Sequence, residues 1–109
     1  MLILAREEVV AALLGLMVEL RGSQPTFLGR AELAEDAILR ENPVAVLIDC
    51  DYPDCGDDLL EAARKVGAVP ILFSPFRIPS EVERFATRHG VKSFTLPTDL
   101  ETFGKILPS

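Results

Sequence analysis

The sequence predicts an α/β fold in which a five-stranded parallel sheet is doubly wound, with helices on both faces. Three observations carry that expectation. Apolar runs of strand length alternate with helix-length amphipathic stretches along the 109 residues. Residues 44–48, Val-Ala-Val-Leu-Ile, are apolar at every position, as a strand covered on both sides has to be. Gly22, Asn42-Pro43 and Gly90 punctuate the boundaries.

Taken in order, Leu2-Ile3-Leu4 reads as a short buried strand. Residues 7–21 read as a helix, because Val10, Leu13, Leu14, Met17 and Leu20 recur at steps of three and four and Gly22 can stop it. Residues 25–28 read as a weak second strand. Residues 30–41 read as a polar helix with Leu33, Ala34, Ala37 and Ile38 on one face, broken by Asn42-Pro43. Residues 44–48 are the strongest strand. Residues 57–66 read as a third helix, which Asp57 or Asp58 suits as a cap. Residues 69–73 form a fourth strand. Ser80-Glu81-Val82-Glu83 fits a capping box for a helix to His89, with Gly90 as its stop. Residues 92–96 are a short fifth strand, and residues 100–107 a helix of about two turns.

The totals exclude several classes of function. A chain of this length with 49% hydrophobic residues has a core to bury and is expected to be one domain over residues 1–109, with no disulfide framework. No apolar stretch is long enough to span a membrane. Residues 1–5 are apolar and Arg6, Glu7 and Glu8 follow, the reverse of a signal peptide, so a cytoplasmic protein is expected. The net charge of −6, scattered basic residues and the absence of Trp argue against a nucleic-acid partner.

The chemistry-bearing residues concentrate after residue 48. Asp49, Asp51, Asp54, Asp57 and Asp58 lie in one stretch with Cys50, Pro53 and Cys55. An EF-hand counted from Asp49 fails, with Pro53 at its fifth position and Leu60 at its twelfth. Four residues separate Cys50 from Cys55, which is neither redox nor zinc spacing, and Cys50 reads as a small core residue. The remaining acids read as a solvated loop capping a helix. His89, the one histidine, reads as a cation at a helix C-terminus. No nucleophile elbow, phosphate-binding glycine loop or dinucleotide fingerprint is present, so no catalytic residue and no enzyme are expected.

The run Asn42-Pro43-Val44-Ala45-Val46-Leu47-Ile48-Asp49, with Pro53 four residues on, resembles the receiver domain of bacterial response regulators. Ser74 after the fourth strand, and Gly90-Val91, Phe94 and Pro97 around the fifth, extend the resemblance over the whole chain. It implies a flavodoxin-like sheet of order 2-1-3-4-5, Asp49 at the phosphoacceptor position and Ser74 at that of the family's switch Ser or Thr. It also implies a role in two-component or phosphorelay signal transduction with a histidine kinase or other signalling protein as partner. Receivers hold Mg²⁺ with two acids after the first strand, where this sequence has Ala5 and Arg6, followed by Glu7 and Glu8. Their lysine before the proline of the fifth strand is Leu96 here.

The chain therefore resembles an atypical, pseudo-receiver form, acting through protein contact. No cofactor is expected; a Mg²⁺ site, if any, would use Asp49, Glu7 and Asp51. Arg6 is the expected charge partner of Asp49 in the metal's place, a guanidinium fork being able to neutralise it; the alternative leaves Arg6 in solvent. Two further readings are a working phosphoacceptor at Asp49 and a small α/β ligand-binding protein or enzyme using an Asp49/Ser74 pocket. The family's usual contact face implies a protein-contact surface over residues 76–106, where Phe76, Arg77, Ile78, Phe85, Phe94, Phe103 and Ile106 lie, some of them core; an uncovered apolar stripe there would mark a homodimer. Gly104 in so short a last helix leads to the expectation that the helix covers the sheet poorly.

Overall fold

In the computed structural model, which describes residues 1–53 and 55–108, four parallel strands form one sheet. They are β1 (Leu2–Leu4), β2 (Ala45–Asp49), β3 (Val69–Ser74) and β4 (Lys92–Thr95), hydrogen-bonded in that order. Five helices connect and flank them: α1 (Glu8–Leu20), α2 (Ala34–Glu41), α3 (Asp57–Lys65), α4 (Pro79–His89) and α5 (Leu100–Ile106). Side chains of α1 and α5 pack with Ile3, Leu47, Ile71 and Phe73 in one cluster, and those of α2, α3 and α4 with Leu2, Leu4, Val46, Ile48 and Leu72 in another. Alternate residues of each strand thus serve opposite faces, which is why β2 is apolar from Ala45 to Ile48 and buried at all five positions.

The fifth strand is the main correction. Residues 25–28 make a single parallel bridge, Leu2 to Thr26, on the side of β1 away from β2. Two backbone bonds hold it there, Ile3 N–H to Thr26 C=O at 2.9 Å and Thr26 N–H to Met1 C=O at 2.8 Å. Pro25 has no N–H to continue a ladder, and Phe27 turns onto α1, where its ring occupies the space beside Gly15. A Cβ on that glycine would lie 2.9 Å from the ring. The expected order 2-1-3-4-5 therefore survives as four strands with a one-residue contact in the place of strand 2.

The starts of α2 and α4 also move, and the cap of α3 changes. Ala31 adopts φ 59° and the Gly29 N–H bonds the Glu32 carboxylate at 2.7 Å, so residues 30–31 form a turn and α2 begins at Ala34. Pro79 opens α4 with Ile78 as its cap and no side-chain bond, in place of the Ser80 capping box. Gly56, not Asp57 or Asp58, is the N-cap of α3. Asp57 instead meets the His89 imidazole, Oδ1 to Nδ1 at 2.8 Å, which ties the end of α4 to the start of α3. Gly90, with φ 67°, closes α4.

Helix α5 covers its part of the sheet, contrary to expectation. Phe103 is fully buried and meets Phe94 edge-on at 5.3 Å, and Phe94 stacks on Phe73 at 5.5 Å. The Arg21 guanidinium lies over Gly104, so close that a Cβ there would collide with it. Asp99 caps the helix by accepting the Thr102 N–H at 2.6 Å. Phe94 and Phe103 are thus core residues and are withdrawn from the contact face expected over residues 76–106. Phe76 and Ile78 stay exposed there. Among the described residues, no helix is long and apolar enough to cross a membrane.

Candidate functional site

All four strands run the same way, so their carboxyl ends meet at one edge of the sheet. That edge brings together residues 5–7, 50–53, 55–56, 75–78 and 96–99. Asp49 ends β2 and is 3% exposed; Ser74 ends β3 and is fully buried. They are the two buried polar residues of the described chain, and both use their side chains to shape loops. The Asp51 N–H donates to Asp49 Oδ1 at 2.9 Å, closing a tight turn after the strand. Ser74 Oγ accepts the N–H groups of Phe76 at 3.2 Å and Arg77 at 2.9 Å, which folds the β3–α4 loop back over the strand end.

Burial raises the Asp49 carboxyl above the usual carboxylate range. The Asp51 amide works against that rise, the Asp51 charge adds to it, and the Arg6 backbone amide and charge oppose it. The expected fork between Arg6 and Asp49 is not formed: no ion pair within 4.0 Å joins them among the described residues. Arg6 is exposed, and its own backbone amide is the group that serves Asp49. One oxygen of the Asp49 carboxylate is held by the Asp51 amide, and the Arg6 charge acts on it without forming an ion pair.

The arginine that does join the strand ends is Arg77. It grips Asp51 with Nη2 at 2.7 Å and Nε at 3.1 Å from both oxygens, and Nη1 reaches Glu81 at 3.3 Å. This fork links the loop after β2 to the loop after β3 and holds the Asp51 carboxyl below its ordinary range. Sequence reading placed Arg77 on a contact face and missed its partner, because 26 positions separate the pair. The one available signal was that each follows the end of a neighbouring strand.

Among the described residues the acids do not gather to fit Mg²⁺. Asp49 has one oxygen committed to an amide and Asp51 is engaged by a guanidinium, while Glu7 and Glu8 stand exposed at the start of α1. Among the described residues no three acidic, His or Cys side chains gather in a way that could hold a metal ion. Asp54, part of the acidic stretch, lies outside the described residues. Cys50 and Cys55 are free, half-buried and packed against the core, and burial pushes both thiols up to about 11, so they stay protonated at neutral pH. A cavity of about 110 Å³ beside Cys50 is walled by Arg77, Glu81, Val82 and Phe85. Another of about 270 Å³ is lined by Ala5, Arg6, Tyr52 and Pro53. Leu96, at the position of the family's lysine, precedes a cis peptide to Pro97 and contributes no charge.

No family model matches this sequence, and no curated protein sequence matches it. Solved structures do. A signal receiver domain of a DNA-binding response regulator from Colwellia psychrerythraea superposes with a TM-score of 0.73 at 15% identity, over 95% of this chain and 90% of that one. A LuxR-family DNA-binding response regulator from Staphylococcus aureus gives 0.68 at 20% identity, over 96% and 92%. A CheY-like receiver domain protein from Methanospirillum hungatei gives 0.66 at 19% identity, over 95% and 86%. The fold is that of response regulator receiver domains, a flavodoxin-like α/β layer structure.

Proposed function

We propose that this chain is an atypical receiver module of a two-component or phosphorelay system, working in the cytosol by protein–protein contact. In this reading it catalyses no reaction and is not efficiently phosphorylated on Asp49. The receiver fold supports the signalling role, and the environment of Asp49 carries the finer claim. Moving a phosphoryl group onto a carboxylate needs a metal and a cation to offset the charge that gathers there. Asp49 is nearly out of solvent, no cluster of three or more acidic, His or Cys side chains that could hold a metal includes it among the described residues, and Leu96 replaces the lysine. Arg77 could stand in for that lysine, but it is committed to Asp51 and Glu81. Each missing preorganised charge lowers such a rate by a factor of about 10²–10³.

The test is incubation with acetyl phosphate and Mg²⁺, followed by intact mass. The expected result is an unmodified chain under conditions that fully label a typical receiver. A phosphoryl adduct abolished by Asp49→Ala would restore the reading of a working phosphoacceptor. A ligand-binding pocket between Asp49 and Ser74 has little support, since neither side chain offers surface to a small molecule.

A further inference from the structure

Helices α2 and α3 pack side by side and leave a groove between them. Two cavities, of about 440 and 310 Å³, follow it, and Glu35 and Asp58 wall both. Its apolar part is Leu33 at one end and Leu39 at the other, 65 and 68% exposed.

The charge around the groove says what it would take. Glu35, Asp36, Asp58 and Glu61 stand exposed along it, and Lys65 is the one base in its walls. Among the described residues none of these four carboxylates has an ion pair or a side-chain hydrogen bond. Arg40, on the same helix, is taken up by Glu32 and Glu41 and does not offset them. Nor do the carboxylates converge: among the described residues no three acidic, His or Cys side chains gather to hold a metal ion. Negative charge spread along a groove, with leucines in its walls, complements a chain that carries several cations and an apolar stripe. A second copy suits it poorly, because two chains of net charge −6 repel.

We propose that the α2–α3 groove receives a basic amphipathic helix of another protein. Its apolar stripe lies on Leu33 and Leu39, and its lysines or arginines face the four carboxylates. Two aligned helices offer a third the ridges and groove it needs. The eight residues of α2 extend about 12 Å, so about two turns of the partner make the contact. Glu35, Asp36 and Asp58 lie in the first turns of their helices, which places the partner's basic cluster at that end. The inference rests on the reading of this chain as a protein-contact module and adds the chemistry of the contact. Asp49 is not in the groove wall, so this assay and the phosphorylation assay fail separately.

Fluorescence anisotropy tests it with a labelled peptide of about four helical turns, leucines at steps of three and four and lysines elsewhere. The wild-type chain is expected to bind at micromolar concentration, less tightly as salt rises. Glu61→Lys is expected to weaken binding by about tenfold or more and Leu39→Asn by about fivefold, with far-UV circular dichroism confirming folding. Glu19→Lys makes the same change in net charge on the outward apolar seam of α1, beside the exposed Leu16 and Leu20 and across the sheet from the groove. It is expected to leave the affinity within about twofold, since a distant exposed charge is screened. No binding at about 1 mM peptide overturns the proposal. Equal losses from Glu19→Lys and Glu61→Lys overturn it by showing attraction to net charge alone, and an unchanged Leu39→Asn by removing the apolar contact. Self-association of the wild-type chain that Leu39→Asn abolishes, read by sedimentation velocity, overturns it by giving the groove to a second copy.

Discussion

Replacing Phe103 by alanine is expected to lower the unfolding free energy by about 3–5 kcal/mol, the range for removing a large aromatic side chain from a core. Helix α5 has seven residues, too few to persist without tertiary support, and Phe103 is its buried residue. Its ring is the last of three that run from β3 through β4 into α5, Phe73 to Phe94 to Phe103. Truncation removes the edge-on contact, opens a void beside Phe94 and leaves α5 without an anchor. For a domain of this size the loss corresponds to a fall in Tm on the order of 20 °C. Urea melts measure the global effect, and hydrogen exchange over residues 100–106 measures the local one. A loss below about 1 kcal/mol with protection unchanged would show that α5 is not held through this ring.

Asp49→Asn is expected to stabilise the protein at neutral pH by about 1–3 kcal/mol, the scale of relieving a poorly compensated buried charge. Asparagine keeps an oxygen for the Asp51 amide and removes the charge. The pH dependence follows from linkage. Burial raises the folded-state pKa of Asp49 above its unfolded value, so folding favours the protonated form. The stability this group contributes is present at low pH and is lost as pH rises from the ordinary carboxylate value through the raised one. The gap between variant and wild type is therefore full above the raised pKa, narrows as pH falls through it, and closes once the unfolded carboxyl is also protonated. Urea melts of both proteins from pH 3 to 8 measure this. A variant less stable than wild type at pH 7 would mean that the Asp49 charge has a compensating partner.

The sheet was legible where sequence and burial make the same demand. β2 and β3 are apolar because both of their faces are covered, and the expected runs 44–48 and 69–73 match them within a residue at either end. Residues 25–28 misled because the four residues from Pro25 to Leu28 can satisfy a local pattern without the partners that make a strand. The starts of α2 and α4 misled for a local reason too. Ala31 at positive φ and Pro79 at the first turn each set a boundary that side-chain periodicity does not contain.

At the site, the positions of Asp49 and Ser74 could be read from the ends of their strands. What surrounds them could not. The Arg77–Asp51 fork joins two loops that are distant in sequence, and the choice between Arg6 and Arg77 depends on which guanidinium the chain path carries across the sheet edge. The outward seam of α1 was half visible. Its periodicity was read as one apolar face, whereas Leu13 and Leu20 point outward and Leu14, Met17 and Val18 inward.

The single bridge at Thr26 bears on how the protein behaves when crowded. An unpaired strand edge is a template for another chain's backbone, and sheets that leave one open tend toward fibrous aggregation. Here two backbone hydrogen bonds with Thr26, one accepted and one donated by it, fill the outer side of β1, and the adjacent Pro25 has no N–H to offer an incoming strand. A segment too short to count as a strand thus acts as a stopper, closing that side of the sheet to runaway stacking.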